Sequence, residues 1–91
     1  MTHDRTVNLR VEPGLVLRGK VRAGGFEPCE SDVLVKIVRN GKVVARLTTR
    51  SNGRFRVRLD DLAGRYVAKA PEAAPDTSNA CERARSKTRK V

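Results

Sequence analysis

Aromatic residues are scarce in this chain of 91 residues, which has no tryptophan, one tyrosine and two phenylalanines. Its apolar residues are mostly valine, leucine and isoleucine, which suit half-buried strands better than an aromatic-lined pocket. A chain of this length buries only one modest core, so a covalent or metal support for the fold would not be surprising. The composition argues against a deep small-molecule site.

Long apolar runs are also absent. No stretch of about 18 apolar residues occurs, so the sequence itself predicts no transmembrane segment. Residues 1–30 lack the continuous apolar segment of a signal peptide. If the protein is secreted, we expect its export signal to lie upstream of Met1.

Histidine occurs once, at His3, and this scarcity restricts the chemistry. A structural zinc site needs four ligands, and a cysteine or serine nucleophile needs a neighbouring base, which Cys29 and Ser86 lack. The adjacent acids Asp60 and Asp61 are expected to form a turn, because neighbouring residues at a strand end point in opposite directions. No phosphate-binding glycine loop or dinucleotide motif is present. We therefore expect no catalytic activity, no metal and no cofactor.

The chain does contain a period-two alternation of apolar and polar residues along most of its length, which is typical of strands. The alternation is strictest at residues 54–59, and Asn40-Gly41 between two such runs is the preferred pair for a two-residue hairpin. A long loop is predicted at residues 70–82. Seven strands are predicted, at residues 7–11, 15–22, 32–38, 42–48, 54–59, 65–69 and 84–91.

Seven short strands without a helix of ten or more residues predict an all-β fold, a seven-stranded two-sheet Greek-key sandwich. The strand at 32–38 is apolar on both faces and is expected to be central. We expect a single module over residues 1–91, with an ordered core over about 5–91.

The charges are numerous and unevenly distributed. Twenty lysines and arginines against ten acids give a net charge of +10, which attracts polyanions. Six acids lie in the two loops that hold the cysteines: Glu27, Glu30, Asp32, Glu72, Asp76 and Glu82. These loops attract cations, but without an ordered calcium motif we expect no dedicated calcium site.

Seven bases occupy outward positions of the first, second and fifth predicted strands: Arg10, Arg18, Lys20, Arg22, Arg54, Arg56 and Arg58.

In an Ig-like arrangement these three strands share one sheet, so the seven bases would cover one outer face. One interpretation is a plainly solvated surface in an arginine-rich proteome. Like charges that face each other on a sheet cost stability, which favours the alternative that the face binds a polyanion. Specific nucleic-acid recognition is not expected, because Phe55 and Tyr66 are needed in the interior and only Phe26 is left for base stacking.

Several short motifs together resemble a β-sandwich module repeated in secreted and surface proteins of high-GC Gram-positive bacteria. These motifs are Gly19-Lys20-Val21, Cys29, Val33-Leu34-Val35, Asn52-Gly53-Arg54-Phe55, Gly64-Arg65-Tyr66, Cys81 and Ser86. The chain is similar in layout to carboxypeptidase-regulatory-like, transthyretin-like and bacterial Ig-like domains over nearly its whole length. The resemblance implies an accessory domain without catalytic residues, often beside enzymatic or wall-anchored domains.

In the similar modules the two cysteines pair, so the resemblance implies a disulfide between Cys29 and Cys81. The loops that hold them lie at the same end of an Ig-like sandwich, which makes a bridge geometrically reasonable. Two free thiols remain the alternative, and reduced cysteines would indicate an intracellular compartment.

Two functions are consistent with the sequence. The first is a non-catalytic extracellular or cell-surface module, a fragment of a larger protein, that contacts neighbouring domains and acidic wall polymers or glycans. The alternative is a small basic intracellular nucleic-acid-binding β domain that uses the same arginine face.

Overall fold

A computed structural model of the protein describes residues 1–14, 16–59 and 63–91, and these residues form an all-β fold, as predicted. The turn predicted at Asp60-Asp61 lies outside the described residues, as does Leu15. Within the described part no helix is long and apolar enough to cross a membrane. The strands are β1 Thr2–His3, β2 Thr6–Glu12, β3 Val16–Arg22, β4 Leu34–Arg39, β5 Lys42–Thr48, β6 Arg54–Arg58, β7 Arg65–Ala70, β8 Ala80–Cys81, β9 Ala84–Arg85 and β10 Arg89–Lys90.

The strands form two antiparallel sheets and one short parallel pair. A three-stranded sheet has the order β2-β3-β6, and a five-stranded sheet has the order β10-β7-β4-β5 with β9 also paired to β7. Strand β4 lies between β5 and β7, so its predicted central position is confirmed. The Asn40-Gly41 hairpin between β4 and β5 is confirmed too, and both of its residues have positive φ, at 50° and 85°.

One buried cluster lies beneath both sheets. The three-stranded sheet contributes Leu9, Leu17 and Phe55, and the five-stranded sheet contributes Ile37 and Tyr66. Buried residues recur at alternate positions along most strands, so most intervening residues point away from the cluster, although Val38 of β4 and Val67 of β7 are buried as well. The hydrophobic alternation therefore determines which side chains each sheet presents outward.

The count of seven strands is wrong, because the described residues contain four two-residue strands. Three of them arise where one strand and one loop were predicted, and the fourth, β1, lies before the first predicted strand. The predicted last strand is divided into β9 and β10, which pair with opposite ends of β7. Between them the hydroxyl of buried Ser86 accepts a hydrogen bond from the Ala68 amide at 2.9 Å, in place of a backbone acceptor. The predicted loop at 70–82 contains β8, which pairs in parallel with β1.

The predicted disulfide is present at the end of the molecule that β1 and β8 form. Cys29, in a 3-10 turn at Glu27–Cys29, is bonded to Cys81 of β8, with a Cα–Cα distance of 5.6 Å. Both cysteines are buried and pack with Ala23 in a second small apolar cluster. No cysteine in the chain is free. The disulfide thus joins the connection between β3 and β4 to the segment before β9.

A buried arginine stabilises the same end of the molecule, where the disulfide lies. The Arg5 side chain is 7% exposed, and its guanidinium donates to the carbonyl oxygens of Pro71 and of Glu82, the latter at 2.7 Å. Burial lowers the pKa of Arg5 below its ordinary value, because removal from water disfavours the charged form. Since the two carbonyls lie near opposite ends of the segment that contains β8, one side chain holds both ends of that segment.

Gly19 permits the close packing of Phe55 in the three-stranded sheet. The two residues face each other across β3 and β6. A Cβ atom on Gly19 would lie 2.2 Å from the Phe55 ring and 2.2 Å from the Asn8 carbonyl oxygen. The phenyl ring therefore occupies the space that a side chain at position 19 would need.

Gly19→Ala should destabilise the protein by about 3 kcal/mol, the upper end of the usual cost of overpacking. In a domain of this size that loss lowers Tm by more than about 10 °C. The measurement is thermal unfolding followed by circular dichroism. Gly14→Ala is the matched control, because a Cβ there meets nothing within 4 Å and only the positive φ of 80° opposes it. A Tm for Gly19→Ala equal to that of the control would refute the steric argument.

Replacement of both cysteines, Cys29→Ala with Cys81→Ala, should lower the free energy of unfolding by about 4 kcal/mol. The reason is that the bond spans 52 residues, and in the chain-entropy model a loop of this length constrains the unfolded chain by about that amount. Urea unfolding of the oxidised protein, the reduced protein and the variant measures the difference in the free energy of unfolding. A loss below about 1 kcal/mol would show that the unfolded chain is not constrained as this model assumes.

Candidate polyanion-binding face

The register of the three-stranded sheet places the predicted bases side by side. Arg10 of β2 faces Arg18 of β3, and Arg18 faces Arg56 of β6, so three guanidinium side chains form one row across the sheet. Lys20 faces Arg54 in the next row. Since neighbouring strands lie about 4.8 Å apart, the three arginines of the first row span about 10 Å.

The structure brings all seven predicted bases to the outer side of this sheet. Arg22 and Arg58 flank the two rows, opposite Thr6 and Val16 respectively. Six of the seven side chains are exposed, and Lys20 is half-buried. We call this surface, defined by Arg10, Arg18, Lys20, Arg22, Arg54, Arg56 and Arg58, the basic face.

A groove crosses the basic face and adds one base that sequence analysis missed. Arg50 lines it, together with Asn8 and several bases of the face. A tight turn brings Arg50 there: its amide donates to the Arg54 carbonyl oxygen at 2.8 Å, and the Gly53 amide donates to the Arg50 carbonyl oxygen at 2.9 Å. The signal in the sequence is Asn52-Gly53, which marks the turn but does not show which sheet it enters.

Few acids neutralise the basic face. The Glu12 Oε1 lies 2.8 Å from the Arg18 Nε, and the two side chains form an ion pair. It is the only ion pair within 4.0 Å among residues 1–14, 16–59 and 63–91. Both side chains are partly exposed, at 51% for Arg18 and 38% for Glu12, so the pair contributes at most about 1 kcal/mol. The seven bases and this one acid leave six net positive charges on one side of a small sheet.

The acids of the cysteine loops serve partly as local hydrogen-bond acceptors. The Glu30 carboxylate accepts from the Ala23 amide at 2.6 Å and from the Gly25 amide at 3.1 Å. The Asp76 carboxylate accepts from the Asn79 side chain and the Ser78 amide, and these bonds lower the pKa of Asp76. No group of three or more histidine, cysteine, aspartate or glutamate side chains in the described residues is arranged to hold a metal ion.

His3 and Phe26 form a contact that the sequence did not indicate. Their rings stack with centroids 3.8 Å apart, and the His3 Nε2 is 2.9 Å from the Asn79 side-chain oxygen. His3 belongs to β1, which precedes the core expected over about residues 5–91. Phe26, the one aromatic residue that seemed free for base stacking, is already stacked on the imidazole.

Comparison of this chain with protein-family models, with curated proteins and with solved structures finds no match. The resemblance to secreted β-sandwich modules therefore stays a prediction.

The melting temperature should rise when sodium chloride is increased from about 10 mM to about 0.1 M, because the screening length falls from about 30 Å to about 10 Å. Relief of about 0.5–1 kcal/mol of repulsion between facing bases should raise Tm by about 4 °C. Differential scanning calorimetry at constant pH measures the change. The variant R54S/R56S/R58S should show a smaller rise. A salt response that is identical in the variant would show that the facing bases do not repel one another appreciably.

Proposed function

We propose that this chain is a non-catalytic extracellular module that contacts acidic wall polymers or glycans through its basic face. The observation that carries the proposal is the strand register, which collects bases from three separate segments into adjacent rows with one acid among them. In this proposal the module is part of a larger secreted or surface protein and also positions neighbouring domains.

The proposed architecture is a two-sheet Greek-key sandwich of the Ig-like or transthyretin-like kind. Support comes from the buried cluster, to which the three-stranded sheet contributes Leu9 and Phe55 and the five-stranded sheet contributes Ile37 and Tyr66. The two inner faces of a sandwich interdigitate in this way.

The chemistry of the face favours an extended polymer that carries sulfate or phosphate groups. Guanidinium groups bind such oxyanions in a bidentate manner whatever backbone carries them. The aromatic residues of the two sheets, Phe55 and Tyr66, are buried in the core, so the outward positions offer no platform for base stacking. The face is therefore suited to charge density rather than to nucleobase identity.

We propose that the chain is not catalytic, because its nucleophilic and basic side chains already have other partners. Ser86 is 4% exposed, and its hydroxyl already accepts a hydrogen bond from the Ala68 amide. His3, the one histidine, stacks on Phe26 and contacts Asn79. Both cysteines are in the disulfide.

The disulfide also favours an extracellular location over the alternative of an intracellular nucleic-acid-binding domain. Buried, bonded cysteines persist in oxidising compartments and are rare in reducing ones. The alternative uses the same basic face, so the two proposals differ in partner and compartment rather than in surface.

R54S/R56S/R58S should weaken retention on a heparin column, because it removes three positive charges from the basic face. The fold should stay intact, because all three side chains point away from the core residues beside them. The slope of log affinity against log salt should fall by about 2 to 3, since each neutralised phosphate or sulfate contributes about 0.7–0.9. Affinity for heparin, for a polyphosphate-type wall polymer and for single-stranded DNA is measured at several salt concentrations by isothermal titration.

The matched control is K42S/R83S/K87S, which removes the same charge from three exposed bases outside the strands β2, β3 and β6. It should keep most of the wild-type retention. Equal losses in both variants would contradict the proposal and show that net charge alone determines binding. Markedly tighter binding to DNA than to either polymer would support the intracellular alternative instead.

A further inference from the structure

A second row of bases crosses the outer side of the five-stranded sheet. Lys36 of β4 faces Arg46 of β5 on one side and Lys69 of β7 on the other. Lys69 in turn faces Arg85 of β9. Three of these side chains are exposed and Lys36 is half-buried. Four bases on four adjacent strands thus form a continuous row, about 14 Å long at 4.8 Å per strand.

The strands that carry this second basic row, defined as Arg46, Lys36, Lys69 and Arg85, contain no acidic residue. Strands β4, β5, β7, β9 and β10 include no aspartate or glutamate. Towards the other end of the same sheet two more bases, Arg65 and Lys90, face each other. Like charges in neighbouring positions destabilise a sheet, and here no acid in any strand of the sheet offsets them.

The second basic row and the basic face point in opposite directions. Ile37 and Ala68, which adjoin Lys36 and Lys69 along their strands, are buried in the cluster that also contains Leu9 and Phe55. The bases at the intervening positions must therefore lie on the far side of each sheet from the shared core. The cluster that both sheets share therefore lies between the two surfaces.

We infer that one molecule binds two anionic polymer chains at once, one on the basic face and one on the second basic row, and so cross-links them. This inference rests on the proposed function and deepens it, because it assigns a second site for the same sulfated or phosphorylated polymers. Two sites on opposite sides favour two separate chains, because a short oligomer that covers one surface cannot reach the other. Within a wall or matrix, such a module connects the polymers that surround it.

A two-step capture assay tests the inference. Heparin is immobilised at low density, protein is bound and the surface is washed. A fluorescent heparin oligosaccharide, short enough to cover one face only, is then added. The amount of captured protein reports binding to the first chain, and the label per captured protein reports binding of a second chain. Light scattering before the assay gives the oligomeric state of the protein.

Three variants at equal net charge separate the possible outcomes. Each lowers the formal charge from +10 to +7 by three substitutions: R46S/K69S/R85S in the second basic row, R54S/R56S/R58S in the basic face, and the control K42S/R83S/K87S. We expect R46S/K69S/R85S to be captured well but to take up about fivefold less label per molecule than wild type, which is about 1 kcal/mol in binding free energy. The control should take up nearly the wild-type amount.

The two proposals fail with different variants in this assay. Undiminished capture of R54S/R56S/R58S together with undiminished uptake of label would contradict the function proposed for the basic face, because the second basic row alone could capture this variant but could not also hold the labelled chain. Wild-type uptake of label by R46S/K69S/R85S would overturn the cross-linking inference, because the second chain would then be held by the basic face of another copy or by net charge alone. Circular dichroism spectra and Tm values within a few degrees of wild type establish that each variant is folded.

Discussion

The alternation of buried and exposed positions along the strands is the constraint on which the rest of this structure depends. Both sheets must bury their apolar side chains in one shared cluster, because a chain of this size has no second core of comparable extent. A slip of one residue in β3 would turn Leu17 and Val21 towards water and bury Arg18 instead. The cost of burying an unpaired guanidinium therefore helps to fix the register, and the register aligns the bases.

So small a core is supported by specific polar and covalent contacts at one end. The disulfide, the Arg5 guanidinium and the Glu30 carboxylate all act on the connections around β8 and the 3-10 turn. Each satisfies or constrains backbone that the sheets do not pair. The strongly charged sheets thus carry the proposed interaction surface, whereas local hydrogen-bond acceptors and a buried disulfide stabilise the loops.

The parts of this fold that depend on local pattern could be predicted from the sequence. The alternation of apolar and polar residues predicted the six longer strands and the outward position of all seven bases. The pair Asn40-Gly41 correctly predicted the hairpin between β4 and β5. Features that depend on distant pairing could not be predicted. Two residues at β1 carry too little pattern to indicate a parallel partner at β8, and nothing local shows that Ser86 replaces a backbone acceptor. The second basic row was missed for the same reason: its bases lie in four segments, and only the register brings them together.

The position of the disulfide in the chain has a mechanical consequence for a module held between neighbours. The bond encloses the segment from Cys29 to Cys81, with 28 residues before it and ten after it. If the oxidised domain is pulled apart by its two ends, only these 38 flanking residues can be drawn out, to about 130 Å at roughly 3.5 Å per residue. The reduced chain of 91 residues would reach about 320 Å at the same spacing. Oxidation therefore reduces by more than half the length that one unfolded domain releases under tension. Three of the seven bases of the basic face and three of the four bases of the second basic row lie inside the segment that the bond encloses.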